Sequence, residues 1–244
     1  MSKSQIQAPK LEKPLVKFTI ITLFEDALKP YLGVSMMWKA AEKGIAEFDF
    51  VNLRDFGLGP HKSVDDTPYG GGDGMLLRCE PVFAAIESVK AKDPSAEVIL
   101  PTPAGRLWDQ NYARELSGNS SLETAVREEP RHFIILCPHY EGYDERILTL
   151  VDHKISLGHY VLTGGELPAL IVIDSVVRLL PGVLGGEKSA EIESFSDENA
   201  SEIEFPQYTK PADFRGLKVP DILLSGNHAE IARWRSAHKT QNLW

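Results

Sequence analysis

The chain has 244 residues, 43% of them apolar, and a formal net charge of −9, which is enough for one substantial core and a small second domain. Asp174 and Arg178 interrupt the longest apolar run and the N-terminus lacks the apolar core of a signal peptide, so the composition argues against a membrane protein. Cys79 and Cys137 are far apart in the sequence, which predicts a cytoplasmic protein without a disulfide framework.

The predicted elements alternate between strands and helices. Residues 15–24 and 45–53 are rich in β-branched and aromatic residues and predict strands, with a helical stretch at 26–43 between them. The alternation continues with a helix at 80–91, strands at 96–101 and 132–137, a helix at 143–151, a strand at 155–162 and an apolar helix at 167–180. This pattern predicts an α/β fold with a mostly parallel sheet, and ligands bind such sheets outside the carboxyl ends of the strands.

The predicted domains follow the composition. Residues 187–204 carry seven acidic groups and one lysine, which predicts a flexible linker, whereas residues 205–244 carry six Lys/Arg against three acids. In this basic piece Ser225-Gly226-Asn227 separates two short predicted helices. We therefore predict a disordered extension over 1–14, an α/β domain over 15–186, an acidic linker over 187–204 and a helical domain over 205–244.

Glycine and proline mark the predicted ends of several strands. Gly164 and Gly165 precede the apolar helix, on which Asp174 and Arg178 share one face, so this stretch is either a small-molecule site or a tight turn with an ion pair. Residues 54–79 include four glycines between positions 70 and 74, and so long a stretch without periodicity is typical of a functional loop. None of these loops fits a dinucleotide-binding or phosphate-loop motif.

The titratable residues near the strand ends are ambiguous. The histidines do not have the spacing of zinc ligands, so no metal site is predicted. His139 and His159 lie in predicted loops, where they are either ligand contacts or solvated side chains. Asp144 and Glu145 lie where a predicted helix begins, and carboxylates there interact favourably with the positive N-terminal end of the helix dipole. The sequence leaves open whether Glu141 is a catalytic acid or base.

Long strings in a fixed order resemble the bacterial tRNA (guanine-N1)-methyltransferases of the TrmD type, in the SPOUT superfamily. They include VDDTPYGGGDGM, HYEGYDER, GHYVLTGGELPALIVIDSVVRLLPGVLG, PQYTKPADFRG and KVPDILLSGNH, and the likeness covers roughly residues 16–235. The resemblance implies a parallel sheet with a deep trefoil knot and a homodimer with a composite active site. It also implies methylation of guanine N1 at the tRNA nucleotide just 3′ of the anticodon, with S-adenosylmethionine as methyl donor and Mg2+ as an aid to turnover.

The resemblance also assigns residues. The catalytic pair is Arg178, a cation near guanine O6, and Glu193, the base. The cofactor residues are Leu100, Pro101, Thr102, Pro103, Gly105, Pro138, Tyr140, Glu141, Gly142, Leu157, Gly158, His159, Tyr160, Val161, Leu162, Gly164 and Gly165. The residues implied to bind the anticodon arm of tRNA are Asp65, Asp66, Tyr69, Tyr208, Lys210, Arg215, Lys218, Ser225, Asn227 and His228.

The chain departs from the family pattern at several of these positions. Glu193 stands where Asp is usual, so Glu191 and Asp197 stay open as the base. Pro138 and His139 replace Gly-Arg, His159 replaces Asp and Lys210 replaces Arg. Two alternatives follow from these departures, namely an RNA-binding homologue with an impaired cofactor pocket and a SPOUT methyltransferase with another RNA target.

Overall fold

A computed structural model describes residues 13–118, 130–184, 193–196 and 202–240. The chain separates into two compact units, Met1–Leu184 and Gly185–Trp244. Most of the predicted extension and much of the predicted linker lie outside the described residues, so the four predicted domain boundaries stay predictions. None of the helices in the described ranges is long and apolar enough to cross a membrane.

The first unit alternates strands and helices as the sequence predicts. Its strands are β1 (Val16–Thr22), β2 (Ala46–Asn52), β3 (Asp65–Asp66), β4 (Leu76–Leu77), β5 (Glu97–Leu107), β6 (Arg131–Leu136) and β7 (His153–Ser156). Its α-helices are α1 (Lys29–Leu32), α2 (Ser35–Glu42), α3 (Cys79–Lys90), α4 (Gln110–Ser117) and α5 (Glu166–Val177), and its 3-10 helices are Glu25–Ala27, Leu53–Phe56 and Glu145–Leu150.

Five strands form one parallel sheet in the order β2-β1-β6-β5-β7, which confirms the predicted α/β class. Side chains alternate between its two faces. Phe18 and Phe133 pack in a core with residues of α2 and α5. Ile21 and Ile134 pack in a second core with residues of α3. Burial on both faces explains the apolar runs of the inner strands, whereas the edge strand β2 alternates apolar and polar residues.

Several predicted elements differ in extent, and the strand predicted over 96–101 continues as β5 to Leu107. The helix predicted over 26–43 is wrong as one element, because the chain breaks at Gly33, the C-cap of α1, and Ser35 has a φ of 53°. The helix predicted over 143–151 is a 3-10 helix, Glu145–Leu150. The strand predicted over 155–162 is also too long, since β7 ends at Ser156 and Gly158 takes a φ of 147°.

The second unit is built from short elements. They are β8 (Asp213–Phe214), β9 (Leu217–Lys218), α6 (Asp221–Leu224) and α7 (His228–Ala237). The turn Ser225-Gly226-Asn227 separates the two helices, as the sequence predicts, and the side chain of Asn227 caps α7 by accepting from the N–H of Glu230 at 3.3 Å. Ile203 and Thr240 pair through backbone hydrogen bonds, so the two ends of the described range 202–240 lie together.

Candidate active site

A cleft of about 180 Å³ opens where β5, β6 and β7 approach their carboxyl ends, the edge at which parallel sheets bind ligands. Its walls are backbone-rich and contain four glycines and four prolines. The lining residues are Pro101, Thr102, Pro103, Pro138, His139, Tyr140, Glu141, Gly142, Tyr143, Ile155, Ser156, Leu157, Gly158, Tyr160, Val161, Leu162, Thr163, Gly164, Gly165 and Pro168.

The first wall is an excursion from β5. Pro101 and Arg106 both pair with Ile155 of β7, so the four residues 102–105 leave the strand ladder and return to the same point. Gly105 closes this excursion, and a Cβ there would lie 2.3 Å from the carbonyl carbon of Ile155. Only glycine fits so close to a neighbouring backbone.

The second and third walls are bound to each other. The N–H of Gly165 donates to the carbonyl of Pro138 at 2.9 Å. A Cβ on Gly165 would lie 2.5 Å from the Cα of Cys137 and 2.5 Å from the Cδ of Pro138. The loops after β6 and before α5 therefore meet without room for a side chain, and the carbonyl of Pro138 is engaged inside the protein.

A buried glutamate lies behind this junction. Both carboxylate oxygens of Glu166 are 2.8 Å from Nε2 of His139, and the hydroxyl of Thr22 donates to Oε1 at 2.6 Å. Burial disfavours the charged form of Glu166, but the hydrogen bonds from His139 and Thr22 outweigh it and lower the pKa of this carboxyl. The ring of Phe24 packs edge-on against His139, with the ring centroids 4.9 Å apart.

The glycine-rich segment adjoins the loop after β6. The N–H of Glu141 donates to the carbonyl of Met75 at 3.0 Å, and the N–H of Leu77 donates to the carbonyl of Gly142 at 2.9 Å. Gly74 has a φ of 81°, and a Cβ there would lie 2.3 Å from the Cγ of Glu141. The segment that the sequence singles out as a functional loop thus reaches the edge of the cleft.

Asp144 has the structural role that its position predicts. Its side chain caps the 3-10 helix by accepting from the N–H of Arg146 at 2.9 Å, and it also pairs with the guanidinium of Arg146 at 2.6 Å. The bonds to Arg146 and to Cys79 lower the pKa of Asp144 well below its usual range. Burial and the nearby Asp144 raise the pKa of Cys79 to about 11, so this thiol stays protonated at neutral pH.

Fourteen of the seventeen cofactor residues assigned by resemblance line the cleft, namely Pro101, Thr102, Pro103, Pro138, Tyr140, Glu141, Gly142, Leu157, Gly158, Tyr160, Val161, Leu162, Gly164 and Gly165. Leu100, Gly105 and His159 do not line it, because Leu100 is buried in the core, Gly105 abuts the backbone of Ile155 and His159 faces solvent. The site assignment missed the lining residues His139, Tyr143, Ile155, Ser156, Thr163 and Pro168. Each of these six residues is within three positions of an assigned residue, so proximity in the sequence is the feature that could have identified them.

The two residues assigned to catalysis belong to different units. Arg178 is the half-buried C-cap of α5, and its N–H donates to the carbonyl of Asp174 at 3.0 Å. The carboxylate of Asp174 accepts from the hydroxyl of Tyr31 at 2.7 Å. Glu193 lies in a short described segment, where its carbonyl accepts from the N–H of Ser196 at 3.2 Å.

The residues assigned to tRNA binding divide between the units. Asp65 and Asp66 form β3, which pairs with β4, and Asp66 forms an ion pair with Arg78 at 2.9 Å, while Tyr69 is fully exposed. Seven residues lie in the second unit and are exposed, namely Tyr208, Lys210, Arg215, Lys218, Ser225, Asn227 and His228. Across the described residues, no group of three or more His, Cys, Asp or Glu side chains is arranged to hold a metal ion.

Comparisons with known proteins give one family. The family model described as tRNA (Guanine-1)-methyltransferase TrmD matches residues 16–244. A relative from Citrifermentans bemidjiense, named tRNA (guanine-N(1)-)-methyltransferase, is 51% identical over 221 residues, which cover 90% of this chain and 83% of the relative. Relatives of the same name from Geobacter sulfurreducens and Geobacillus kaustophilus are 50% and 49% identical, with 90% of this chain and 84% and 85% of each relative covered.

The fold and the cleft define an α/β protein whose ligand site is built from backbone-rich loops at the carboxyl edge of a parallel sheet. The matches are more specific. The chain belongs to the TrmD family of tRNA (guanine-1)-methyltransferases. The predictions of the family, of an enzyme and of methyl transfer to guanine N1 in tRNA are thereby confirmed.

Proposed function

We propose that this protein transfers a methyl group from S-adenosylmethionine to N1 of the guanine just 3′ of the anticodon in tRNA. The single observation that carries the proposal is the convergence of three loops on one cleft in a chain of this family. These loops contribute residues 101–103, 138–143, 157–158 and 160–165. A deep trefoil knot belongs to the same proposal, since the resemblance implies one.

The cleft fits a nucleoside that carries an amino acid. Pro101, Pro103 and Leu162 give apolar walls for a planar base, and exposed backbone groups give hydrogen-bonding partners. The carboxylate of Glu141 supplies the negative charge that an α-ammonium group needs, at the end next to the glycine-rich segment. S-adenosylmethionine, when bound, supplies a methyl group activated by a positively charged sulfur.

The protein has to handle one proton and one developing charge. Neutral guanine carries a proton on N1, so N1 cannot attack a methyl carbon until a base removes this proton. We assign the base role to the carboxylate of Glu193, and Arg178 stabilises the negative charge that develops at O6. The proton passes to Glu193, the lone pair of N1 forms the new N–C bond, and the C–S bond of the donor breaks to leave a neutral thioether.

The second unit is the proposed site for the anticodon arm. Its exposed cations include Lys210, Arg215 and Lys218, and such side chains bind phosphates. Lys210 gives a point charge rather than the two-pronged contact of an arginine. Aromatic side chains of the same unit, Tyr208 and Trp234, lie with their ring centroids 6.5 Å apart and suit contact with unpaired bases.

A homodimer with a composite active site is part of the proposal. The first unit exposes large apolar side chains on neighbouring helices, and α2 contacts α5. Patches of this kind mark protein–protein contacts. The exposed residues are Tyr31, Val34, Trp38, Leu167 and Ile171. A cytoplasmic location and a need for Mg2+ rest on the sequence and the resemblance alone.

Labelled-methyl transfer tests the proposal. The substrates are two tRNA transcripts that differ only in carrying G or A just 3′ of the anticodon, and the donor is S-adenosylmethionine with a labelled methyl group. We expect label on the G transcript alone, at N1. Equal labelling of both transcripts contradicts the specificity, and no labelling by a protein that binds the donor favours another RNA target.

Calorimetry with S-adenosylmethionine tests the cofactor part separately. We expect S-adenosylmethionine to bind and S-adenosylhomocysteine to compete with it. His139 is hydrogen-bonded to Glu166, and the carbonyl of Pro138 to the N–H of Gly165, so neither residue fills the cleft. A folded protein that binds tRNA but not S-adenosylmethionine contradicts the proposal. This result favours the RNA-binding homologue with an impaired cofactor pocket.

A further inference from the structure

Three polar side chains beside the cleft form a hydrogen-bonded chain that the proposed reaction does not use. Thr22 ends β1, His139 lies in the loop after β6, and Glu166 begins α5. The chain runs from Thr22 through Glu166 to His139 with distances of 2.6 and 2.8 Å. It therefore ties together three elements that meet at the carboxyl edge of the sheet.

These three hydrogen-bonded side chains are largely removed from water. The side chains of His139 and Glu166 are 17% and 11% exposed. A carboxylate at this depth is costly to the folded state unless charged and hydrogen-bonding groups surround it. Loss of the His139 ring leaves the Glu166 carboxylate with the hydroxyl of Thr22 and a backbone hydrogen bond, and a buried acceptor that loses one of its partners rearranges or draws in water. The position of the loop after β6 is thus coupled to the state of Glu166.

The side chains of His139 and Glu166 pack closely against Gly164. A Cβ on Gly164 would lie 2.5 Å from Cε1 of His139 and 2.8 Å from Oε2 of Glu166. Tyr140, which follows His139 in the sequence, has a φ of 65°, a conformation that a non-glycine residue keeps only when its surroundings hold it. The packing thus fixes the side chain of His139 immediately before Tyr140 and Glu141, which line the cleft.

We propose that His139 is a positioning residue for the cofactor. Bound to Glu166, it holds the loop Pro138–Gly142 at the distance from the loop Leu157–Gly165 that S-adenosylmethionine requires. His139 acts through these loops and makes no contact with the reacting atoms. The inference rests on the proposed function, since it assumes that the cleft receives S-adenosylmethionine.

The test measures two affinities on the full chain. Calorimetry gives the Kd for S-adenosylmethionine, and a filter-binding assay gives the Kd for tRNA. We expect His139→Ala to raise the Kd for S-adenosylmethionine about 10- to 100-fold, the usual effect of removing a group that orients a ligand-binding residue. We expect the Kd for tRNA to change by less than about twofold, since neither His139 nor Glu166 is among the residues proposed to bind tRNA.

Two further variants sharpen the test. His139→Arg restores the affinity for S-adenosylmethionine, because a guanidinium donates two hydrogen bonds to the Glu166 carboxylate. His61→Ala is the matched control, since His61 is exposed and outside the cleft, and it leaves both affinities at the wild-type values. Thermal unfolding of each variant shows whether the protein is folded.

Each outcome decides between the inference and the proposed function. If wild-type protein fails to bind S-adenosylmethionine, the proposed function and this inference both fail. If wild-type protein binds it and folded His139→Ala binds it equally well, only this inference is overturned. Equal losses of affinity for tRNA and S-adenosylmethionine together with a lower Tm indicate a general structural role, which also overturns it.

Discussion

The two units of this protein differ in how they hold their binding groups. In the first, the loops of the cleft adjoin β5, β6 and β7, which contain fully buried side chains such as Ile99, Phe133 and Ile155. In the second, no residue of the described range 202–240 is buried. Its half-buried Trp234 has as neighbours His238, stacked at 4.0 Å, and Tyr208.

This difference matches two kinds of ligand. A small donor molecule is bound tightly only by groups fixed before it arrives, since fixing them afterwards costs conformational entropy. A unit with few buried contacts opens locally at little free-energy cost. It suits a large partner such as tRNA, whose many phosphate contacts offset the cost of ordering. The predictions below separate the two kinds of binding.

The largest expected effect is on turnover. Arg178→Ala and Glu193→Gln should each lower kcat by roughly 10²-fold or more, because each removes a group that acts only in the reaction, while the Kd for S-adenosylmethionine stays near the wild-type value. Single-turnover methyl transfer to tRNA and calorimetry measure the two quantities. Glu204→Gln is the charge-matched control in the second unit. Near-normal turnover in Glu193→Gln would assign the base to Glu191 or Asp197, which lie outside the described residues.

The next effect is on tRNA affinity alone. Trp234→Ala should raise the Kd for tRNA about tenfold, or ~1.4 kcal/mol, because it removes the half-buried ring that packs against Tyr208 and His238. The Kd for S-adenosylmethionine should not change. Filter binding and calorimetry measure the two affinities, and Ser236→Ala, at an exposed position on the same helix, is the control. A parallel loss of both affinities would contradict the separation of the units.

A smaller effect contrasts two glycines. Gly165→Ala should destabilise the first unit by about 1–3 kcal/mol, since its Cβ meets backbone and proline atoms at 2.5 Å, and the Tm should fall by roughly 2–12 °C. Gly226→Ala meets no atom within 4 Å and is strained only by its φ of 72°, so the same transition should stay within about 1 °C. Scanning calorimetry compares them, and equal shifts would show that the units unfold as one.

The smallest effect is on the pH dependence of stability. The pKa of Glu166 lies below its usual value of 4.5 in the folded protein, so the unfolded chain binds the proton first as the pH falls. The stabilisation is present above pH 4.5 and is lost as the pH falls through the lowered pKa. Urea titrations of wild-type and Glu166→Gln should therefore converge on acidification, whereas Glu87→Gln, an exposed control on α3, should show no convergence.

Local sequence predicts the sheet well and its interruptions poorly. A strand buried on both faces needs a largely apolar run, so β1 and β6 are visible in the sequence, and the edge strand β2 is visible through its alternating apolar residues. The break between α1 and α2 is less visible, because Leu28 and Leu32 are four apart and Met37 and Ala40 three apart, which is helical spacing within each pair, and only the five-residue step between the pairs departs from it. The break itself includes a positive φ at Ser35, a conformation that the residue type does not predict.

The site shows the same limit. Glycines and prolines at strand ends predict that loops surround a ligand, and the resemblance adds most of the residues that line the cleft. The pairing of Thr22, His139 and Glu166 has no local signal, because Thr22 and Glu166 are 144 positions apart and His139 and Glu166 are 27 apart. Only the order of strands in the sheet brings them together.

The excursion from β5 affects how loop length in this fold can change during evolution. Both of its ends, Pro101 and Arg106, face the same residue of β7, Ile155. Residues added to or deleted from the segment between them leave the register of β5 and β7 intact, so loop length and strand pairing vary independently. An insertion here reshapes one wall of the cleft without disturbing the core, which makes this segment the natural place to redesign which donor molecule the cleft accepts.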